Sequence, residues 1–352
     1  MSTLANRIAA VWDRVQMRLF PAFEAANLTL TPQLQNLVRI FELLRVEEGV
    51  VHRCHSCPGV KPRDRGLLLR AFVARAFYSE AQTKAWRERL LTDHDVRRVI
   101  GWDGPGDVPS EATFSRAFRE FAEWDVLGEL HAQRVTEAYQ DDYCWMGVLD
   151  STAIHAREAP IKKEKSKKRP PSRLEYQSAQ VPEIALLDLP TACDVGCKPN
   201  SQGRREFWHG YKTHLVVNED GVPLAAITTS ASLHDNQAAI PLLTIAARRV
   251  RTLYSLMDSA YDARLLLDYV EGDLAQVPIV ERQRFNARTA MPWSAFQVDL
   301  FKRRTVIERA NSRLKDGFAV DNARVQGHRK IHAHVMLGVI LLFAETLLRL
   351  LA

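Results

Sequence analysis

Three acids in this chain stand where carboxylates can act on phosphate: Asp150, Asp258 and Glu308. Asp150 closes the apolar run Trp145–Leu149, and Asp258 closes Leu253–Met257. The ends of strands in open α/β sheets are where ligands bind, although an acid there also serves as a common helix cap or turn former. Glu308 lies in Phe301–Lys315, which has no Gly or Pro and is rich in helix formers, so the stretch predicts a helix. On that helix Arg304, Glu308, Asn311, Ser312 and Lys315 share one face at steps of three and four. Glu308 is its only acid. A carboxylate among cations suits a metal-binding acid beside a polyanion; the same residues equally make a basic surface helix with one i,i+4 ion pair. Three ionised carboxylates converge only if cations offset their repulsion. Mg²⁺ does so and keeps positions open for water and phosphate. Two such ions roughly 4 Å apart clamp the attacking and leaving oxygens of an in-line phosphoryl displacement.

The elements that must position these acids are an α/β unit after a helical one. Residues 1–141 carry apolar positions at helical spacing, among them Leu34, Leu37, Val38, Phe41 and Leu44, then Leu68, Leu69, Phe72, Val73 and Ala76. Ser110 is a predicted N-cap. The helix it opens turns Phe114, Phe118 and Phe121 inward and Arg116 and Arg119 outward, which suits a DNA-reading unit and equally an ordinary helical subdomain. Near Tyr143 the period changes. Strands are expected at Trp145–Asp150, Tyr211–Val217, Val222–Thr229, Leu253–Asp258 and Val277–Val280, with Asn218–Gly221 as a hairpin turn. Helices are expected from His234 to about Arg249, at Ala263–Val270 and from about His332 to Leu350. The last of these is apolar on most faces and expected to pack on the sheet. The order strand, strand, strand, helix, strand, helix, strand, helix makes a mixed sheet flanked by helices, the order of a ribonuclease H-like fold. The expected domains are 1–141 and 142–352. Residues 157–182 form a basic insertion without apolar period.

The chain of 352 residues carries a net charge of +6 and is 46% hydrophobic, enough for a sizeable core, so disorder is not the default. Residues 301–330 hold nine Lys/Arg against three acids, and 157–173 hold eight against two, which leaves the remainder at about −6. Two basic stretches on an otherwise acidic protein point to a localised polyanion, most commonly nucleic acid. Six or more phosphate contacts would make affinity fall roughly a thousand-fold between 50 and 200 mM salt. The N-terminus lacks the apolar region of a signal peptide, and the run Val335–Ala344 is too short for a membrane span. An odd five cysteines make no disulfide framework, so a cytoplasmic location without membrane contact is expected. Cys54 and Cys57 with His52 could be half of a zinc site and Cys193 and Cys197 the other half, but the separation and spacing fit chance better.

Ordered along the chain, these segments resemble the DDE transposases of bacterial insertion sequences, which have a ribonuclease H-like catalytic domain. Leu149-Asp150-Ser151-Thr152 is similar to the family's first motif. Trp208-His-Gly-Tyr-Lys-Thr-His214 is similar to its W-x-G-Y-K-x-H strand. Thr228–Leu243, with His234-Asp235-Asn236-Gln237, is similar to the stretch before the second acid. Asp258-Ser-Ala-Tyr261-Asp262 fits Asp-x-x-Tyr-Asp, and Phe301, Arg304, Glu308 and Lys315 fit Tyr-x2-Arg-x3-Glu-x6-Lys at three of four positions. The departure is Phe301, which lacks the family hydroxyl; Arg303 stands beside it as a substitute phosphate contact. The 49 residues between Asp258 and Glu308 leave no room for the long β-insertion of some relatives, and with it hairpin-type cleavage. The resemblance implies cleavage at transposon ends and transfer of the freed 3′ ends into target DNA. It implies two Mg²⁺ ions, replaceable by Mn²⁺, held by Asp150, Asp258 and Glu308. Arg303, Arg304, Arg309, Lys315 and Lys212 are then expected to contact DNA, together with Arg116 and Arg119. Terminal inverted repeats and target DNA are the expected partners, bound by a homodimer associated with the nucleoid. The alternatives are a ribonuclease H-like nuclease without strand transfer, a His-rich metallophosphoesterase using His155, His209, His214 and His234, or a DNA-binding protein derived from a transposase.

Overall fold

The computed structural model describes residues 4–25, 28, 30–50, 63–140, 142–161, 172–199, 202–282 and 292–350. His52, Cys54, Cys57, the Lys162–Arg169 run, Arg284 and Arg288 lie outside them. The chain divides into two compact units: residues 1–138, 314–324 and 333–352, and residues 139–313 and 325–332.

The first unit is helical, and four of its helices begin where a side chain satisfies free N–H groups of the first turn. Thr31 caps Pro32–Leu44, Asp64 caps Arg65–Phe77, Asp93 caps His94–Ile100, and Ser110 caps Glu111–Glu123 by accepting from the Thr113 N–H at 3.3 Å. The apolar positions read from the sequence are buried, and Phe72 packs on Phe114, Phe118 and Phe121 with ring centroids 5.6, 5.2 and 6.1 Å away. Among the described residues one helix, His328–Arg349, is long and apolar enough to cross a membrane by length and composition, but most of its apolar window is buried inside the protein. Its expected place on the sheet is corrected in part: residues through His332 cluster with the sheet unit, and those from Ala333 with the helical unit.

The second unit holds one mixed sheet of six strands: β1 (Tyr143–His155), β2 (Asp194–Pro199), β3 (Arg205–Val217), β4 (Pro223–Ser230), β5 (Arg251–Met257) and β6 (Val277–Val280). β3 lies antiparallel between β1 on one side and β2 and β4, end to end, on the other. β5 joins β1 in parallel, and β6 joins β5 in parallel. Three antiparallel strands followed by two parallel crossovers, flanked by helices, are the ribonuclease H-like arrangement. The predicted hairpin is present: Asn218 Oδ1 accepts from the N–H groups of Asp220 and Val222, and Gly221 takes φ +86°. The helix Ala239–Arg249 packs on β3, β4 and β5, and Thr305–Ser312 packs on β1 and β3.

Several sequence expectations change. β1 does not stop at Asp150 but runs five residues further, to His155, because β3 supplies a ladder as far as His155↔Gly210. β2 was not anticipated; its residues have little strand propensity, and the first half of β3 holds them in register. Part of the supposedly irregular basic stretch is helical, at Arg173–Ser178 and at Pro182–Leu187, which begins inside it. There Leu174, Gln177 and Ala185 are buried, and Arg173 pairs with Asp188 at 2.6 Å. The helix expected over Phe301–Lys315 is broken. A helix Ala295–Lys302, opened by a Ser294–Gln297 capping box, ends in a tight turn at Arg303 and Arg304, where N–H groups bond three residues back. Helix Thr305–Ser312 follows and widens into a π-helical turn, Arg313–Gly317, which holds Lys315. The shared face of Arg304 and Lys315 on one straight helix is therefore corrected.

Candidate active site

The parallel ladder of β1 and β5 ends at the pair Val148↔Leu256. Asp150 and Asp258 each stand two residues beyond it, so period-two alternation puts both side chains on the same side of the sheet. Past this point β1 continues on β3, and β5 gives way to the turn Ser259–Tyr261. The two acids thus flank the crevice where neighbouring strands part. Asp258 caps its turn by accepting from the Ala260 N–H at 2.9 Å. Asp150 accepts from Asn311 Nδ2 at 3.1 Å, a contact made by the helix Thr305–Ser312.

Burial pushes the Asp150 carboxyl up to about 6; the Ser151 N–H opposes this, the charge of Asp258 adds to it, Arg304 opposes it and Asp235 adds to it. Burial also raises Asp258, against the Ala260 N–H and Arg304. The Asp150 carboxyl holds its proton more tightly folded than unfolded, where its ordinary value is 3.8. Its contribution to stability is therefore full below pH 4 and lost as pH rises through about 6. In metal-free urea titrations between pH 4 and pH 8, the wild type should lose ~2–3 kcal/mol relative to Asp150→Asn. A difference independent of pH would show that this carboxyl is freely solvated.

Glu308 is placed differently. Its carboxylate accepts from Arg304 Nη2 at 3.1 Å and its side chain is 56% exposed, so the i,i+4 ion pair open in the sequence is formed. The helix nevertheless adjoins Asp150, because Asn311, which touches Asp150, lies one turn after Glu308 on the same face. Arg304 in turn lies over the Phe301 ring, 5.8 Å from its centroid, and Phe301 packs on Trp293 at 4.9 Å. The aromatic at this position works as a platform for the arginine, a role that needs no hydroxyl.

Sequence reasoning did not single out Asp235 for the site. It lies in the turn Asp235–Ala238, which packs on Ser259–Tyr261. Burial alone would raise its carboxyl, but the charge of Lys212 and hydrogen bonds from Lys212 and Ser151 hold it below the usual range; His214 adds to this only at the acid pH where its own ring is protonated. Lys212, expected to contact DNA, points inward: its Nζ donates to Asp235 Oδ1 at 2.8 Å and to the Leu233 carbonyl at 2.9 Å. His214 is fully buried, bonded to Thr229 Oγ1 at 2.9 Å, and pushed down to about 4 by burial. The signal for this group was already present in the Trp208–His214 and His234–Gln237 segments. The buried Tyr261 hydroxyl, beside Asp235, Asp150 and Asp258, has no hydrogen-bond partner among the described residues.

The remaining basic residues expected at DNA divide between the units. Arg303, 3.7 Å from Asp299, and Arg309 are exposed in the sheet unit. Arg116 and Arg119 are exposed on the helical unit, which also holds Lys315. Arg282 pairs at 2.9 Å with the buried Asp262. Cys193 is buried and donates to the Glu158 carbonyl at 3.5 Å, while Cys197 is exposed.

Among the described residues no three of His, Cys, Asp and Glu are grouped so as to hold a metal ion. The pair Asp150 and Asp258 fits one all the same. Both are hard oxygen donors on one side of the sheet, burial and mutual repulsion disfavour their ionised forms, and an unpartnered buried hydroxyl lies beside them. No curated protein and no solved structure matches the chain. The family model of the transposase DDE domain matches residues 145–344, more than half of the chain and both aspartates with Glu308, and the protein therefore belongs to the DDE transposase family, enzymes that cut DNA.

Proposed function

We propose that this protein cuts the ends of a mobile DNA element and joins the freed 3′ ends to target DNA, with Asp150, Asp258 and Glu308 as the catalytic carboxylates. The observation that carries the reading is the equivalent position of Asp150 and Asp258, two residues beyond the last β1–β5 pair, within the span matched by the family. The three carboxylates would hold two Mg²⁺ ions, which when bound lower the pKa of an attacking water and stabilise charge on the leaving 3′ oxygen. Asn311 orients Asp150 through its hydrogen bond. Arg304 takes up a phosphate oxygen of the DNA in exchange for Glu308, which frees that carboxylate to turn toward Asp150 across one helical turn. Arg303, Arg309 and Lys315 bind backbone phosphates, and Arg116 and Arg119 contact the terminal inverted repeats. Joining two ends calls for two chains, so the working complex is a dimer.

The test first sequences the DNA flanking the reading frame for an inverted repeat, then uses an oligonucleotide duplex carrying that repeat together with a supercoiled target plasmid. Mg²⁺-dependent nicking at the repeat boundary and a joined product are expected. Nicking without joined product would leave a nuclease that does not transfer strands, and no nicking with any divalent ion would overturn the reading.

A further inference from the structure

Lys212 and Asp235 are the charged pair of this site that the carboxylate chemistry above does not use. The Lys212 side chain is only 13% exposed, both of its hydrogen bonds, to Asp235 Oδ1 and the Leu233 carbonyl, are internal, and its Nζ lies 5.9 Å from the centroid of the Trp208 ring. It projects from β3 at the position that pairs with Ala153 of β1 and Thr229 of β4. Asp235 also holds the hydroxyl of Ser151, the residue next to Asp150, and its carboxylate acts electrostatically on Asp150, Asp258 and Tyr261. The site thus contains three buried or half-buried aspartates, offset by Lys212 on one side and Arg304 on the other. His214 lies close to the pair but is held neutral by burial near neutral pH. A buried carboxylate without its cation is strongly disfavoured, and so is the reverse.

We propose that Lys212 and Asp235 form a charge-balancing pair that positions the Asp150 strand and sets how strongly the Asp150–Asp258 site attracts a divalent cation. This rests on the reading of that site as a metal-dependent nuclease centre. Asp235 brings a fourth carboxylate close enough to fix Ser151, and Lys212 cancels the charge that this adds. Without Lys212 the site has one more uncompensated negative charge; without Asp235 it has one more positive. The two changes therefore move cation affinity in opposite directions, and the double change restores it. A pair that served only to hold the fold would lower stability in both variants and leave no such sign reversal.

The experiment measures Mn²⁺ binding to the full-length chain without DNA, from the electron paramagnetic resonance signal of free Mn²⁺, alongside thermal melting with and without the ion. Relative to wild type, Lys212→Met is expected to bind Mn²⁺ about tenfold tighter and Asp235→Asn about tenfold more weakly, as a unit charge at short range in a partly buried site dictates. The double variant Lys212→Met/Asp235→Asn should return to within about threefold. Lys212→Arg, which keeps the charge, should stay close to wild type and serves where the Met variant does not fold. Lys212→Met should melt lower without metal and gain more from Mn²⁺ than wild type. Single variants shifted in the same direction, or a double variant that does not return, overturn the pair. A wild-type chain that binds no Mn²⁺ overturns instead the nuclease reading beneath it.

Discussion

Asp258→Asn should reduce the rate of single-turnover DNA nicking by about a thousand-fold or more while DNA affinity stays within about twofold. The substitution keeps the local structure, because the Asn side-chain oxygen can still accept the Ala260 N–H that Asp258 caps at 2.9 Å. It removes one of two mutually repelling carboxylates, since burial and nearby charge already raise both. The metal-free variant should therefore be at least as stable as wild type at pH 8, so lost activity will not reflect lost folding. Nicking of an end-labelled duplex under Mg²⁺, with filter binding of the same duplex, separates the two quantities. A variant that nicks at the parental rate would remove Asp258 from the chemistry.

The largest effect on stability is expected from Gly210→Ala. Gly210 stands at the crossing of three ladders: it pairs with Asp194 of β2, with His155 of β1, and sits one residue before the β4 register begins. Its φ is +148°, and a Cβ there would lie 2.2 Å from the Ile154 carbonyl oxygen and 2.8 Å from the Ala156 nitrogen. Both neighbours are backbone, so relief requires β1 and β3 to part at the end of β1, around His155. A loss of about 3 kcal/mol or more is expected, from strain together with weakened strand pairing. Gly272→Ala, where nothing lies within 4 Å, is the control and should change stability by about 0.5 kcal/mol or less. Urea unfolding followed by circular dichroism decides the matter, and a Gly210→Ala protein with the parental midpoint would refute it. The same position explains the glycine of the Trp208–His214 segment, in which four other side chains have fixed partners. Trp208 donates to the Tyr211 carbonyl at 3.1 Å, Tyr211 donates to Glu158 at 2.7 Å, Lys212 holds Asp235, and His214 meets Thr229.

The aspartates were legible in the sequence because each follows an apolar run long enough to be a buried strand, and the order of strands and helices was legible from changes of period. What was not legible depends on partners distant along the chain. Ser151–His155 has no hydrophobic alternation and is a strand because β3 lies beside it. β2 is a strand for the same reason. Lys212 reads as a contact of either DNA or the core until Asp235, on a separate turn, is brought to 2.8 Å from it. The break at Arg303 and Arg304 falls in a stretch with no Gly or Pro, so nothing in its residue types marked it. The ion pair of Arg304 and Glu308 had been one of two readings of that face; the carboxylate's turn toward Asp150 belongs to the DNA-bound enzyme proposed above.

The composition of the helical unit bears on how the protein is made. Residues 1–138 share that unit with 314–324 and 333–352, as in the Ser79 hydroxyl bonded to the Gly317 carbonyl and the His131 ring at 5.8 Å from Phe343. A ribosome adding about 5–20 residues each second releases the first segment many seconds before the last. The helical unit therefore waits on the ribosome with part of its core unfilled, and the sheet unit, synthesised in between, has the first opportunity to close. Such long sequence separation between packed segments slows folding, and it makes the nascent first half a natural client for chaperones. A premature stop codon after Arg313 would then damage the beginning of the chain as much as its end.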